Sequence, residues 1–187
     1  MSPGDGADRL PVVRYLDVVC RALLASVFIV AVANKVSGRA AWLGFVQSLR
    51  ELRQVPEAAV RSAAVAVVTV EILVVALLVV PVRAVGAVGF ALAVGLLGAF
   101  TVVIGRALAR GSRAPCRCFG VSSTPLGVPH VVRNLMLICV AGLGLTGLSV
   151  DGSIDAPYAV LAGLTGMILG VLTTAAEDIV ALIKPLR

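Results

Sequence analysis

Charge is scarce in this chain. Only 14% of its 187 residues are Asp, Glu, Lys or Arg, while 59% are hydrophobic and the mean hydropathy is +1.05. A typical soluble domain carries about 25% charge and roughly 45–50% apolar residues. Aromatics make up 4%, with Trp42 the single tryptophan and His130 the single histidine, and Lys35 and Lys184 are the only lysines. These absences exclude whole classes. A net charge of +6 without aromatic and basic residues interleaved on a polar surface is no footprint for nucleic acid. No Gly-rich loop opens a helix in a phosphate-binding pattern. The extended polar sequence of a soluble domain is missing. What remains is an integral membrane protein, and membrane lipid is the one partner that composition itself demands.

Five apolar stretches are present: Tyr15 to Asn34, Ala58 to Val80, Val82 to Gly105, Val128 to Val150 and Pro157 to Ala176. Each approaches the roughly 20 helical residues that cross about 30 Å of hydrocarbon. None alternates polar and apolar residues, so a closed barrel is excluded and helices are the spanning elements. The expected fold is an all-α polytopic bundle of about five spans, a four-helix core plus one, in the plasma membrane. Pro81 separates the second span from the third by a tight turn, and Asp151 to Ala156 forms a short acidic turn before the fifth. Gly86, Gly89, Gly95 and Gly98 in the third span read as packing positions.

Between the first two spans, Trp42, Phe45, Val46, Leu49 and Leu52 recur at helical spacing opposite Gln47, Arg50, Glu51 and Arg53. This predicts a short amphipathic helix over Ala40 to Gln54, lying in the interface. Residues 1–14 are expected to form a disordered tail, with the first span as an uncleaved signal anchor. Residues 15–150 form the main transmembrane domain, with a cysteine-bearing loop at 106–129, and 151–187 the fifth helix and C-terminal tail. Ala162, Gly166, Gly170 and Thr174 stand at i+4 spacing on the fifth span, a small-residue face suited to close packing or, through Gly166 and Gly170, to a homo-oligomer.

An odd number of spans puts the termini on opposite sides. Side A holds the N-terminal tail, Arg83 and the acidic turn; side B holds Lys35, Arg39, Arg50, Arg53, Arg106, Arg110, Arg113, Arg117, Lys184 and Arg187. The positive-inside rule makes side B, with the 106–129 loop, cytoplasmic.

That loop contains the chain's compact chemical constellation, Cys116-Arg117-Cys118-Phe119-Gly120 preceded by Arg113-Ala-Pro115. Nearby arginines favour the thiolate, the reactive form of cysteine. Residues i and i+2 sit near the upper limit of disulfide reach, so the backbone must bend, and Pro115 and Gly120 permit a bend. Three readings stand side by side: a redox-active dithiol, a metal site drawing on Cys116, Cys118 and His130 but lacking an obvious fourth ligand, and a structural turn. Cys20 and Cys139 lie inside spans, where isolated cysteines behave as small hydrophobes; a relay through them is the alternative.

Asp17, Arg21 and Glu71 are charged residues within spans, where ionisable groups are rare. Asp17 and Arg21 are i and i+4 on one helix. At 1.5 Å per residue Arg21 lies roughly 9 Å, and Glu71 roughly 13 Å, from side A, so the two are expected at one depth as a buried pair. Such a pair reads as a helix-to-helix clamp or as a proton or quinone site. Arg133 and Asn134 open the fourth span, placed to bond the loop's carbonyls or to hold a thiolate.

Cys-x-Cys-Phe-Gly at 116–120 followed by Arg133-Asn134-Leu135 resembles the methylamine utilisation protein MauE family and its DoxX-like relatives. Arg21, Phe28, Lys35, Glu71-Ile72 and Phe100 agree with that resemblance over roughly residues 15–150, while Arg117 departs from the small residue common in the family. The resemblance implies a redox-associated membrane protein working beside a thioredoxin-like partner in the maturation of a client protein. It implies Cys116 and Cys118 as the redox pair, with Arg117, Phe119, Gly120, Arg133, Asn134, Arg21 and Glu71 in support. No metal is implied, and quinone is left open as a cofactor. Two other classes compete: a non-catalytic assembly factor, and a small-molecule carrier using Arg21 and Glu71.

Overall fold

The computed structural model describes residues 9–52, 54–110, 127–148 and 155–183, and side chains over 15–52, 54–110, 127–148 and 155–175. Six α-helices are described: α1 (Arg9–Val36), α2 (Arg39–Glu51), α3 (Val60–Val79), α4 (Arg83–Ala109), α5 (Val128–Gly147) and α6 (Ala156–Ile183), with a 3₁₀ turn at Glu57–Ala59 before α3. Among the described residues there is no strand. Five segments are long and apolar enough to cross a membrane: Tyr15–Val36, Glu57–Val79, Arg83–Ala109, Val128–Gly147 and Ala156–Ala175. The protein is therefore an all-α polytopic membrane protein, as its hydropathy predicts.

Prolines set several boundaries. Val80 ends α3 in extended backbone (φ −71°, ψ 123°), the geometry forced on a residue before proline. Gly127 is likewise extended, and Pro129 occupies the first turn of α5, where its missing N–H leaves no helical bond unmade. Three helix ends differ from the sequence expectation. α1 begins at Arg9, inside the stretch read as a tail, and continues to Val36, so Lys35 belongs to the span. α6 runs to Ile183.

α1 is the hub. It packs on α3, α5 and α6, while α3 packs on α4 and α4 on α5. Helices α1, α3, α4 and α5 thus close a four-membered ring of antiparallel neighbours. α6 runs parallel to α1: Tyr15 meets Tyr158 edge-on at 6.1 Å, Gly166 lies against Val19, Ala22 and Leu23, and Gly170 lies against Leu23 and Ser26. The small-residue face of α6 thus packs on α1 within the chain. Inside the ring, Leu24, Phe28, Val74, Leu78, Phe90, Leu97, Leu137 and Ala141 are buried. In hydrocarbon such contacts hold through van der Waals packing rather than escape from water. Phe90 shows how: its ring fills the space that a side chain at Gly144 would occupy. The α4 glycines divide. Gly86 and Gly89 meet neighbouring side chains, but Gly95 and Gly98 have nothing close, because they turn away from the ring.

α2 lies at the side B end, docked by Phe45 and Val46 against Val60, Ala64 and Val68 of α3. Its outward face carries Gln47, Arg50 and Glu51, with Gln47 bonded to Glu51 at 3.0 Å and Arg50 bridging to Glu57 at 3.4 Å. This is the amphipathic element that the sequence predicts.

Candidate functional site

Charged and amide side chains within the ring fall into three groups. At side A, the Arg21 Nε donates to both carboxylate oxygens of Asp17, at 3.0 and 3.1 Å. Its Nη1 donates to the carbonyls of Leu78 (3.3 Å) and Val80 (2.8 Å). Those carbonyls end α3 and have no intrahelical partner of their own. The guanidinium also lies 5.9 Å from the Phe90 ring centre. Arg21 is thus a clamp that satisfies the end of one helix from another.

Farther toward side B, Lys35 of α1 reaches Glu71 in the middle of α3 to form a buried ion pair, with 1% and 0% of their side chains exposed. Nζ donates to Glu71 Oε1 at 2.7 Å, to Oε2 at 3.0 Å and to the Ala31 carbonyl at 3.3 Å. It stands 5.2 Å from the ring centre of Phe45, which α2 brings over the pair. This corrects the expected Arg21–Glu71 pairing: Arg21 is satisfied at side A, and Glu71 by Lys35. The reason is directional. Helical side chains lean toward their own N-terminus, so Lys35 leans inward from side B and Glu71, on an antiparallel helix, leans back to meet it. A carrier site built from Arg21 and Glu71 together is therefore not formed. In the sequence Lys35 reads as a topology signal; its place directly against the end of an apolar run is the available clue.

The third group is on α5. His130, Arg133, Asn134, Leu137 and Ala141 form one buried stripe. Asn134 is fully buried, and neither its Oδ1 nor its Nδ2 has a hydrogen-bond partner among the described residues. An unpaired buried amide costs about 1–3 kcal/mol by protein mutational measures. Because α4 and α5 are antiparallel, equal steps from the Phe90–Gly144 contact bring Asn134 level with Phe100 and His130 level with Ile104. Arg133 and Asn134 thus lie buried in the first turns of α5, which starts at Val128, while α4 stops at Ala109. Cys116, Arg117, Cys118, Phe119 and Gly120 lie between those two helix ends in sequence, outside the described residues. Cys20 is buried in the core, whereas Cys139 is on the exposed side of α5, off the stripe, and both are free thiols.

A sequence model described as methylamine utilisation protein MauE matches residues 13–147. The chain belongs to the MauE family. No curated protein and no solved structure matches it. MauE membership and five apolar spans make it a multi-pass membrane protein. The MauE match takes in the four-helix ring and α2, including Arg21, Lys35, Glu71, Arg133 and Asn134, and stops before α6. α6, docked on α1, lies outside the matched residues.

Proposed function

We propose that this MauE-family protein is a membrane thiol–disulfide exchange protein whose working groups are Cys116 and Cys118. The observation that carries the reading is the burial of Arg133 and Asn134 in the first turns of α5, beneath the helix end that the cysteine segment joins. Buried polar groups in the helix that the cysteine segment enters would supply fixed dipoles and a cation to a nearby thiolate, and such surroundings lower a thiol's pKa.

In the proposed step the Cys116 thiolate attacks one sulfur of a disulfide in a thioredoxin-like partner. That disulfide breaks, its second sulfur leaves as a thiolate, and a mixed disulfide forms. Cys118, deprotonated, attacks Cys116 of the mixed bond. The internal disulfide closes, and the partner departs with both sulfurs reduced. Two electrons pass to the partner, and the reverse sequence oxidises it. The partner in turn serves a maturing client protein. By the arginine excess the dithiol end faces the cytoplasm.

Cys118→Ser should trap the partner as a covalent adduct through Cys116, visible as a reducible high-mass band. A non-catalytic assembly factor would form no adduct and lose nothing in Cys116→Ala. An impermeant thiol reagent on intact cells, with and without prior reduction, reports the side and the redox state. Thiols that stay reduced under all conditions would sink the reading.

A further inference from the structure

We propose that Glu71, the Ala31 carbonyl and the Phe45 ring form a binding site for a primary alkylammonium ion, and that Lys35 fills it as a tethered occupant. The inference goes beyond thiol exchange and does not rest on it. An ammonium group has three N–H donors and no acceptor. Around Lys35 Nζ stand two carboxylate oxygens at 2.7 and 3.0 Å, a carbonyl at 3.3 Å and an aromatic ring centred 5.2 Å away. Carboxylate, carbonyl and π face together are what an alkylammonium requires. The walls are built: Glu71 is 0% and Phe45 1% exposed. Each of these contacts reads the ammonium, none the lysine backbone.

Exchange needs no bond made or broken. Lys35 is the last residue but one of α1, and a lysine stem near a helix end can swing its charge out to the interface. Glu71 is then neutralised by a free cation instead of a tethered one, so the buried charge stays balanced. Phe45 of α2 is the aromatic wall.

A plain helix clamp would also admit a free amine once Lys35→Ala opens the space, but it predicts no response in the wild type, and that response separates the two ideas. Alanine at 35 keeps Cβ, so the missing piece is n-propylammonium. The purified full-length chain carrying Lys35→Ala should melt lower than wild type and regain Tm with millimolar n-propylammonium. Methylammonium and n-butylammonium should restore less, being too short and too long. Tetramethylammonium, which has no N–H donor, should match sodium at equal ionic strength. Adding Glu71→Gln should abolish the recovery. In wild type, which needs no variant to fold, n-propylammonium should raise Tm at higher concentration, and Glu71→Gln should remove that rise. A response that ignores chain length or survives Glu71→Gln is a salt effect and overturns the proposal. So does a wild-type Tm that no alkylammonium moves.

Discussion

The guanidinium of Arg21 rests against the backbone of Gly86, in the space that a Cβ at that position would fill. Arg21 reaches across the ring from α1 to the α3–α4 turn, so α4 can approach only without a side chain there. Gly86→Ala should lower stability by about 1–3 kcal/mol, the usual cost of overfilling a packed interior. Combining it with Arg21→Ala should cost less than the sum of the single changes, because one substitution removes what the other collides with. Thermal melts of the four proteins in one detergent check this; strict additivity would contradict the contact.

The Lys35–Glu71 pair makes an asymmetric prediction. Removing either partner, by Lys35→Met or Glu71→Leu, leaves a buried charge uncompensated and should cost about 3–5 kcal/mol. The double replacement should recover most of that loss, since an apolar pair of similar volume needs no compensation. Denaturation of the four variants in mixed micelles gives the coupling directly.

Helix α6 is held by small residues at a parallel crossing. A side chain at Gly170 would meet Ser26 Oγ and the Leu23 carbonyl, whereas Gly163 on the same helix has nothing within 4 Å. Gly170→Val should therefore loosen α6 from α1 and lower Tm by several degrees, while Gly163→Val should be close to neutral. A cysteine cross-link between positions 15 and 158, where the tyrosine rings now touch, reads the docking independently and should weaken only in Gly170→Val.

Asn134 is a buried amide without a hydrogen-bond partner among the described residues. Asn134→Leu, close in shape, should raise stability by about 1–3 kcal/mol, the penalty of an unmet buried polar group. Partner trapping by the Cys118→Ser protein should fall in the same background if the amide serves the dithiol. A stability loss of similar size would instead show that the amide is bonded.

Much of the outline was legible residue by residue. The five spans appear within a few residues of their expected ends, because hydrocarbon thickness imposes a length and Pro81 and Pro129 impose breaks. The Asp17–Arg21 bond was legible because i and i+4 share a face on any helix. Glu71's partner was not. Spans this uniformly apolar show little amphipathic bias to say which face turns inward, so depth alone suggested Arg21. The α4 glycines were unreadable for the same reason: Gly86 and Gly95 look alike until the helix is rotated into place.

The chain alone determines that it crosses the bilayer as helices, how often, and which end gathers arginine, since these follow from transfer energies and backbone bonding that every residue carries with it. Only the tertiary structure decides that Lys35 closes on Glu71, that Phe45 covers them, and that α6 packs on α1 through its glycines. Those contacts depend on the rotation and register of one helix against another, and side-chain shape across the interface sets both.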